Sequence, residues 1–214
     1  APVGHCICAY SDFTVRTDRP EFDVAADYAR EVMRATGVRR VPFHLELKID
    51  ERGACLIEVA ARLCGANIVM RDIDAHGGLD VLGIAAHHYL TDEPYGDYPL
   101  DWAAYDAKVR GLVSGIATRD ERVWSLAGGS TVEAMPEFVR WDTRPEFGGH
   151  VVPTIDFSSV AWRATIACRD VDDFLRTSDR MRATLRINPP SRIARLREVP
   201  AYLPPVLNQV YGRV

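Results

Sequence analysis

Apolar residues recur along this chain at two spacings, one helical and one extended, and their succession outlines its elements. Val3 to Tyr10 reads as an opening strand. Thr17, Asp18 and Pro20 are helix-start signals, and Phe22, Ala25, Tyr28, Ala29, Val32 and Met33 then follow at helical spacing until Gly37, which predicts an amphipathic helix with a glycine stop. From Val41 to Asp50 the period changes to two. Phe43, Leu45, Leu47 and Ile49 fall on one face, and His44, Glu46, Lys48 and Asp50 on the other. Glu51-Arg52-Gly53 predicts a three-residue turn into a second strand over 54–62, followed by the loop Cys64-Gly65-Ala66-Asn67. Gly77-Gly78 opens a helix carrying Leu79, Leu82, Ala85, Ala86, Tyr89 and Leu90.

Between about Asp92 and Pro99 the composition turns to Pro, Gly and Asp, a boundary signal. The chain is therefore expected to divide into modules 1–98 and 99–214. The second reads as β-rich, with strands near 107–117, 121–126, 137–142, 150–156 and 161–168 and a closing strand over Thr184 to Ile187. A short helix capped by Ser130 and a helix over 171–182 complete it. The tail, with Pro189-Pro190, Pro200 and Pro204-Pro205, cannot sustain a long helix. This succession is an α+β pattern.

Composition adds exclusions. The 214 residues carry 26 Lys+Arg against 30 Asp+Glu, with Lys48 and Lys108 the only lysines, so no basic stripe suits a nucleic-acid backbone. No apolar run approaches the ~20 residues of a membrane span. Five cysteines (Cys6, Cys8, Cys55, Cys64, Cys168) lack zinc-site spacing, and a reduced cytoplasmic setting is the expectation. The four tryptophans, Trp102, Trp124, Trp141 and Trp162, are expected mostly in the core or packed on strands.

Candidate chemistry sits on the hairpin 41–62. With a three-residue loop, Asp50 faces Ala54 and Glu46 faces Glu58, placing like charges where Cβ atoms stand ~4.5–5.5 Å apart. Glu58 interrupts the run Cys55-Leu56-Ile57-Glu58-Val59-Ala60-Ala61, which predicts a partly buried carboxylate needing a cation. Mg²⁺ suits such a pair, because it binds through one or two carboxylates plus substrate phosphates. Arg62 lies two alternations beyond Glu58, where its planar fork suits a phosphate. The competing reading is a solvated, cross-paired face of Glu46, Lys48, Glu58 and Arg62. His44 shares the face of Glu46 and either orients a substrate or metal-bound water or makes a structural hydrogen bond to a carboxylate. His87 and His88 read as structural residues near a helix C-terminus, Cys64 as an unreactive pocket-wall thiol, and Gly148-Gly149-His150 as a turn.

The stretch Phe43-His-Leu-Glu-Leu-Lys-Ile-Asp, the turn, Leu56-Ile-Glu-Val-Ala-Ala-Arg-Leu-Cys-Gly65 and the later Gly78-Leu-Asp-Val-Leu resemble the C-terminal lobe of ATP-grasp ligases, in the manner of the L-amino-acid ligase and carnosine synthase group. The resemblance covers residues 20–90; the 107–187 stretch is similar, less specifically, to the β-rich domain that closes the substrate site in those ligases. It implies an antiparallel sheet with flanking helices followed by a β-rich α+β module. It also implies a nucleotide-binding enzyme in which ATP phosphorylates a carboxylate and an amine, amino-acid-like, attacks the acyl phosphate to give an amide or dipeptide, ADP and phosphate. By this resemblance Glu46 and Glu58 hold the Mg²⁺ of ATP, with Mn²⁺ as a substitute, Arg62 is the catalytic contact to the transferred phosphate, and the loop with Gly65 and Asn67 shapes the substrate pocket, for which His44 is a further candidate by its place on the strand face.

Two positions depart from the pattern. Many such ligases carry Asn where this chain has Ala60, so one of two metals is expected to be held differently. Their lysines and glycine-rich lid stand upstream of the strand pair, and no G-x-x-x-x-G-K loop occurs here. The chain is accordingly expected to be the C-terminal part of a longer polypeptide, or to complete its site with a partner chain, with a homodimer a further expectation. The reading of a different class is a non-catalytic binding or interaction module derived from this lobe.

Overall fold

The computed structural model describes residues 11–64, 80–93 and 101–189. The expected strand over Val3 to Tyr10, the loop residues Gly65 and Asn67, the Gly77-Gly78 helix start and the proline-rich tail lie outside the described residues. The architecture is α+β, with its strands in antiparallel pairs and small sheets. Among the described residues no helix is long and apolar enough to cross a membrane.

Contacts group the chain into two units. One comprises Ser11–Val113 and Thr165–Ser178; the other contains Ser114–Ala164 and the described residues from Asp179 onward.

In the first unit, α1 (Pro20–Thr36) begins with proline at its first position and Glu21 and Asp23 in its first turn. It ends at Gly37, whose φ of 68° is the left-handed conformation that terminates helices. Arg19 precedes it without a side-chain cap, so the start relies on Pro20 and on the acidic first turn facing the positive end of the helix dipole. The face of α1 carrying Phe22, Ala25, Tyr28 and Ala29 is half-buried and packs against the hairpin of β2 (His44–Asp50) and β3 (Gly53–Ala60). The next helix, α2 (Val81–Leu90), starts where the Asp80 carboxylate accepts the Gly83 N–H at 2.9 Å. His87 and His88 fall in its last turn, as expected, and the His87 ring bonds the Glu93 carbonyl at 3.0 Å.

Two elements here are absent from the sequence reading. The short α3 (Trp102–Asp106) is capped by Asp101 and sets Trp102 edge-on against Phe22, ring centres 5.7 Å apart. The three-residue β1 (Ser11–Phe13) pairs with β4 (Val109–Gly115), Ser11 opposite Val113. The connection from β1 to α1 is tied to α3: the Asp106 carboxylate accepts from both the Thr17 N–H and its hydroxyl, and the Tyr105 hydroxyl donates to the Val15 carbonyl at 2.9 Å.

The second unit holds short elements: β5 (Glu121–Arg122), β6 (Leu126–Ala127), α4 (Gly129–Glu133), β7 (Phe138–Thr143), β8 (His150–Val151) and β10 (Arg186–Ile187). The expected strand 121–126 is two strands because β5 pairs with β8 and β6 with β10. Asn188, at a φ of 46°, holds that divergence. Its side-chain oxygen accepts the Trp124 and Ser125 N–H groups at 2.7 and 3.1 Å, and its amide nitrogen donates to the Arg122 carbonyl and the Glu121 carboxylate. The expected strand 150–156 ends at Val151, since Thr154 bonds into the Ala117 backbone and the Ser159 carbonyl. Ser130 is not the cap of α4; Gly128, left-handed at 82°, takes that position without a side-chain bond.

Strand β9 (Trp162–Cys168) is buried at six of its seven positions, and four strands hydrogen-bond in the order β1, β4, β9, β7. Trp162 lies on Gly115, where an added Cβ would stand 2.0 Å from the indole nitrogen, so only glycine fits. Trp162 is buried on β9 and Trp141 is half-buried on β7, as expected, but Trp102 and Trp124 are half exposed and off the strands, which corrects the expectation that most are in the core or packed on strands. Buried Arg163 stacks on Phe157 at 3.4 Å and is bonded to the Phe157 carbonyl.

Helix α5 (Val171–Thr184) buries Phe174, Ser178 and Met181 at i, i+4 and i+7. Asp170 precedes it and accepts the Asp173 N–H at 2.8 Å and the Arg169 Nε at 2.9 Å. The backbone bond first, and the guanidinium second, hold its carboxyl below the usual carboxylate range. Because the folded-state value is depressed, this contribution to stability is complete above the unfolded-state value and is lost as pH falls through the folded one, below about pH 5. Asp170→Asn keeps an acceptor for the cap but cannot titrate. It is expected to flatten the fall of the unfolding midpoint with acid relative to the wild type, measured by thermal unfolding across that range.

Candidate functional site

The carboxylate pair forms where the sequence places it, but by a different route. The turn is two residues, Glu51-Arg52, so Asp50 faces Gly53 and Ile49 faces Ala54, which corrects the three-residue loop. That register runs through Lys48 and Cys55 to Leu47 and Leu56. Then Ile57 is left over, and beyond it Glu46 faces Glu58, Leu45 faces Val59 and His44 faces Ala60. The extra residue is a β-bulge on β3. It keeps His44, Glu46 and Lys48 on one face with Glu58 and Cys55, while Leu45, Leu47 and Ile49 share the other with Val59, Leu56 and Ala54.

Glu58 is not partly buried. Its side chain is 57% exposed, and Glu46 is exposed opposite it, so water reaches both carboxylates. The strand ends at Ala60, which places Arg62 in the bend after it rather than on the strand face. The bend is closed by the Arg62 N–H on the Ala60 carbonyl at 2.8 Å. From there the guanidinium lies 3.9 Å from the Glu58 carboxylate and donates to the Leu63 carbonyl at 3.0 Å. His44 is half-buried, and its Nδ1 is enclosed with no hydrogen-bond partner among the described residues. At the turn, Asp50 is held below the usual carboxylate range by the Arg52 guanidinium and backbone N–H.

The structure thus brings Glu46, Glu58 and Arg62 together, with His44 one pair further along the same face. Gly65 and Asn67 lie outside the described residues. Glu46, Glu58, Arg62 and His44 do not line the cleft of about 610 Å³ bounded by Phe13, Val15, Arg16, Glu21, Asp170 and Val171, whose Arg16 is paired to Asp18 at 2.8 Å.

The donor set can be tested against the ion the resemblance implies. Among the described residues no group of three or more His, Cys, Asp or Glu side chains converges to enclose a metal. A caged site of the calcium kind is therefore not built from them. Two opposed, hydrated carboxylates do fit Mg²⁺, which keeps several waters and takes its remaining ligands from phosphate oxygens. Arg62, anchored at one nitrogen by Leu63 and only loosely approached by Glu58, retains donor edges for an anion.

Among the comparisons with known proteins, the solved structures bear on the fold. No protein-family model matches the chain, and no curated protein sequence matches it. Solved structures do, and those matched share the fold of an ATP-grasp lobe. The L-amino acid ligase from Bacillus licheniformis superposes with a TM-score of 0.64 at 18% identity, over 84% of this chain and 44% of the ligase. Phosphoribosylglycinamide synthetase from Anaerococcus prevotii gives 0.61 at 8%, over 83% and 44%. N5-carboxyaminoimidazole ribonucleotide synthetase from Thermotoga maritima gives 0.54 at 16%, over 83% and 45%. At these identities the likeness is one of fold, and the chain spans less than half the length of each of these enzymes.

Proposed function

We propose that this chain supplies the metal and phosphate side of an ATP-dependent carboxylate–amine ligase that joins amino-acid-like substrates through an acyl phosphate, releasing ADP and phosphate. The supporting observation is the register: a bulge sets two glutamates directly opposite each other, in water, with an arginine 3.9 Å from one of them. A sheet face built only for stability gains nothing from opposed like charges. A divalent cation between them removes the repulsion and provides the charge neutralisation on which phosphoryl transfer depends.

In this reading Glu46 and Glu58 would hold Mg²⁺, or Mn²⁺ in its place, and Arg62 would bind the transferring phosphoryl group. The metal, when bound, would supply neutralising charge to the transferring phosphate. His44 Nδ1, enclosed beside the pair, would orient substrate or a metal-bound water, and Gly65 and Asn67 would line the substrate pocket. Residues 1–98 would carry this chemistry and residues 99–214 the substrate-closing role, a division of function rather than of contacts. The setting would be cytoplasmic. Upstream sequence or a partner chain would supply the rest of the nucleotide grip, and a homodimer is one arrangement that would do so.

The test is ADP release with ATP, Mg²⁺ and pairs of amino acids, with product mass read in parallel, on the polypeptide as it occurs in the cell. ADP formed in step with an amide product is expected. Calorimetry of the 214-residue chain alone with Mg·ATP is expected to give weak binding; no amide product in the first assay would favour the non-catalytic interaction module.

A further inference from the structure

The glutamates face each other only because β3 carries one extra residue, and a hydroxyl from another element sits on that irregularity. If the register at the turn continued unbroken, Glu46 would face Ile57, and Glu58 would face Leu45 on the apolar side of the hairpin. A slip of one residue exchanges the faces of every side chain beyond it. The bulge resolves the conflict by placing Ile57, 64% exposed, out of the ladder.

A bulge disturbs the ladder locally and needs other partners for the backbone groups beside it. Here the Leu56 N–H, adjacent to the extra residue, donates to the Tyr28 hydroxyl at 3.0 Å. Tyr28 stands in the middle of α1, on the half-buried face that packs against the hairpin. A phenylalanine would fill the same space; only the hydroxyl reaches the strand backbone.

We infer that Tyr28 is a positioning residue for the carboxylate pair: its hydroxyl, bonded to the Leu56 amide, holds the bulge at Ile57 and so holds Glu58 opposite Glu46. The consequence for metal binding rests on the function proposed above. The consequence for strand register rests on the hairpin alone, which keeps the two separable. Supporting residues outside a metal's ligand sphere commonly govern affinity by about 10–100-fold, through the orientation they impose on the ligands.

The experiment compares the chain with its Tyr28→Phe variant, which retains the ring and its packing. Register is read by oxidative cross-linking of two cysteine pairs, Glu46→Cys with Glu58→Cys and Glu46→Cys with Ile57→Cys, the joined peptides being identified by mass. With Tyr28 present, only the 46–58 pair is expected to join. In Tyr28→Phe the 46–57 pair is expected to appear, and the Leu56 amide to exchange with solvent at least about tenfold faster while amides of α5 do not change. Mn²⁺ titration is expected to show about 10–100-fold weaker binding in Tyr28→Phe. Unchanged cross-links and unchanged Leu56 exchange would overturn the inference. If the unmodified chain binds no Mn²⁺ but the cross-link pattern still moves, Tyr28 keeps its role in register and the metal reading is the one that fails.

Discussion

Glu58→Gln, made in the polypeptide that releases ADP, is expected to lower that rate by about 10²–10³-fold, the usual loss when one preorganised electrostatic contact to a transferring group is removed. The folded chain is expected to be no less stable. Glutamine preserves the shape of the side chain, the site is exposed, and the only attraction lost among the described residues is the 3.9 Å contact to Arg62, a kind of surface pair worth at most ~1 kcal/mol. Against that loss, the repulsion from Glu46 directly opposite is relieved. The unfolding midpoint is therefore expected to hold or rise while activity falls. Kinetics and thermal unfolding of the same preparation check both halves. The pattern separates the two readings of this face. In a solvated, cross-paired strand face the substitution would leave activity alone and cost a few tenths of a kcal/mol. A site that carries uncompensated like charge for a cation gains stability when one charge goes. Wild-type ADP release from Glu58→Gln would remove the metal assignment and, with it, the reason for the opposed pair.

How the sequence and structure compare at this site shows where patterns suffice. Strict alternation from Phe43 to Asp50 placed His44, Glu46 and Lys48 on one face, and the glycine at 37 ended α1, because both signals are local and physical. The facing of Glu46 and Glu58 was also legible, though its mechanism was not. A glycine three residues beyond Asp50 reads as a bulge at the turn, whereas the extra residue sits four positions further along, at Ile57. Moving a bulge along a strand changes every pair between the two positions and leaves those beyond it untouched. The glutamates lie beyond it. The run Leu56-Ile57-Glu58-Val59 held the clue: no alternating strand can place Leu56 and Val59 on one face and Glu58 on the other without an irregularity between them. Tyr28 was visible only as an apolar position on a helix, since the use of a hydroxyl depends on which strand it meets. Short elements were the least legible. The helix Trp102–Asp106 owes its place to Phe22, and the strand Ser11–Phe13 to a partner about a hundred residues on, so neither has a pattern of its own. The two-way split of 121–127 turns on Asn188, distant in sequence, and the exposure of Trp102 and Trp124 reflects packing that composition does not encode.

The largest loss of stability is expected from Phe174→Ala. Phe174 is wholly buried on α5, and its ring lies 5.2 Å from that of Phe13 on β1, the two tilted by 54°, within the range of favourable aromatic pairing. Truncation removes the transfer energy of the ring and leaves a cavity, a cost of about 3–5 kcal/mol. Against a typical total of about 5–15 kcal/mol, that is a large share of what holds a domain folded. The site has little means of collapse. Phe13 cannot follow the lost ring, because β1 is held to β4 by Phe13 opposite Gly111, and a Cβ at Gly111 would already stand 2.0 Å from the Asp12 carbonyl, so the strands are in close contact. On the other side, the backbone of α5 is fixed one turn on by the Ser178 hydroxyl, which donates to the Phe174 carbonyl at 2.7 Å. Phe174→Leu, which refills most of the volume, is expected to recover more than half of the loss. Phe147→Ala supplies the control: the same truncation at a ring 79% exposed is expected to change stability by no more than about 0.5 kcal/mol. Urea unfolding of the four proteins checks the order, with midpoints falling from wild type and Phe147→Ala through Phe174→Leu to Phe174→Ala at a common slope. A Phe174→Ala midpoint equal to that of Phe147→Ala would mean that the ring does not occupy the core between β1 and α5.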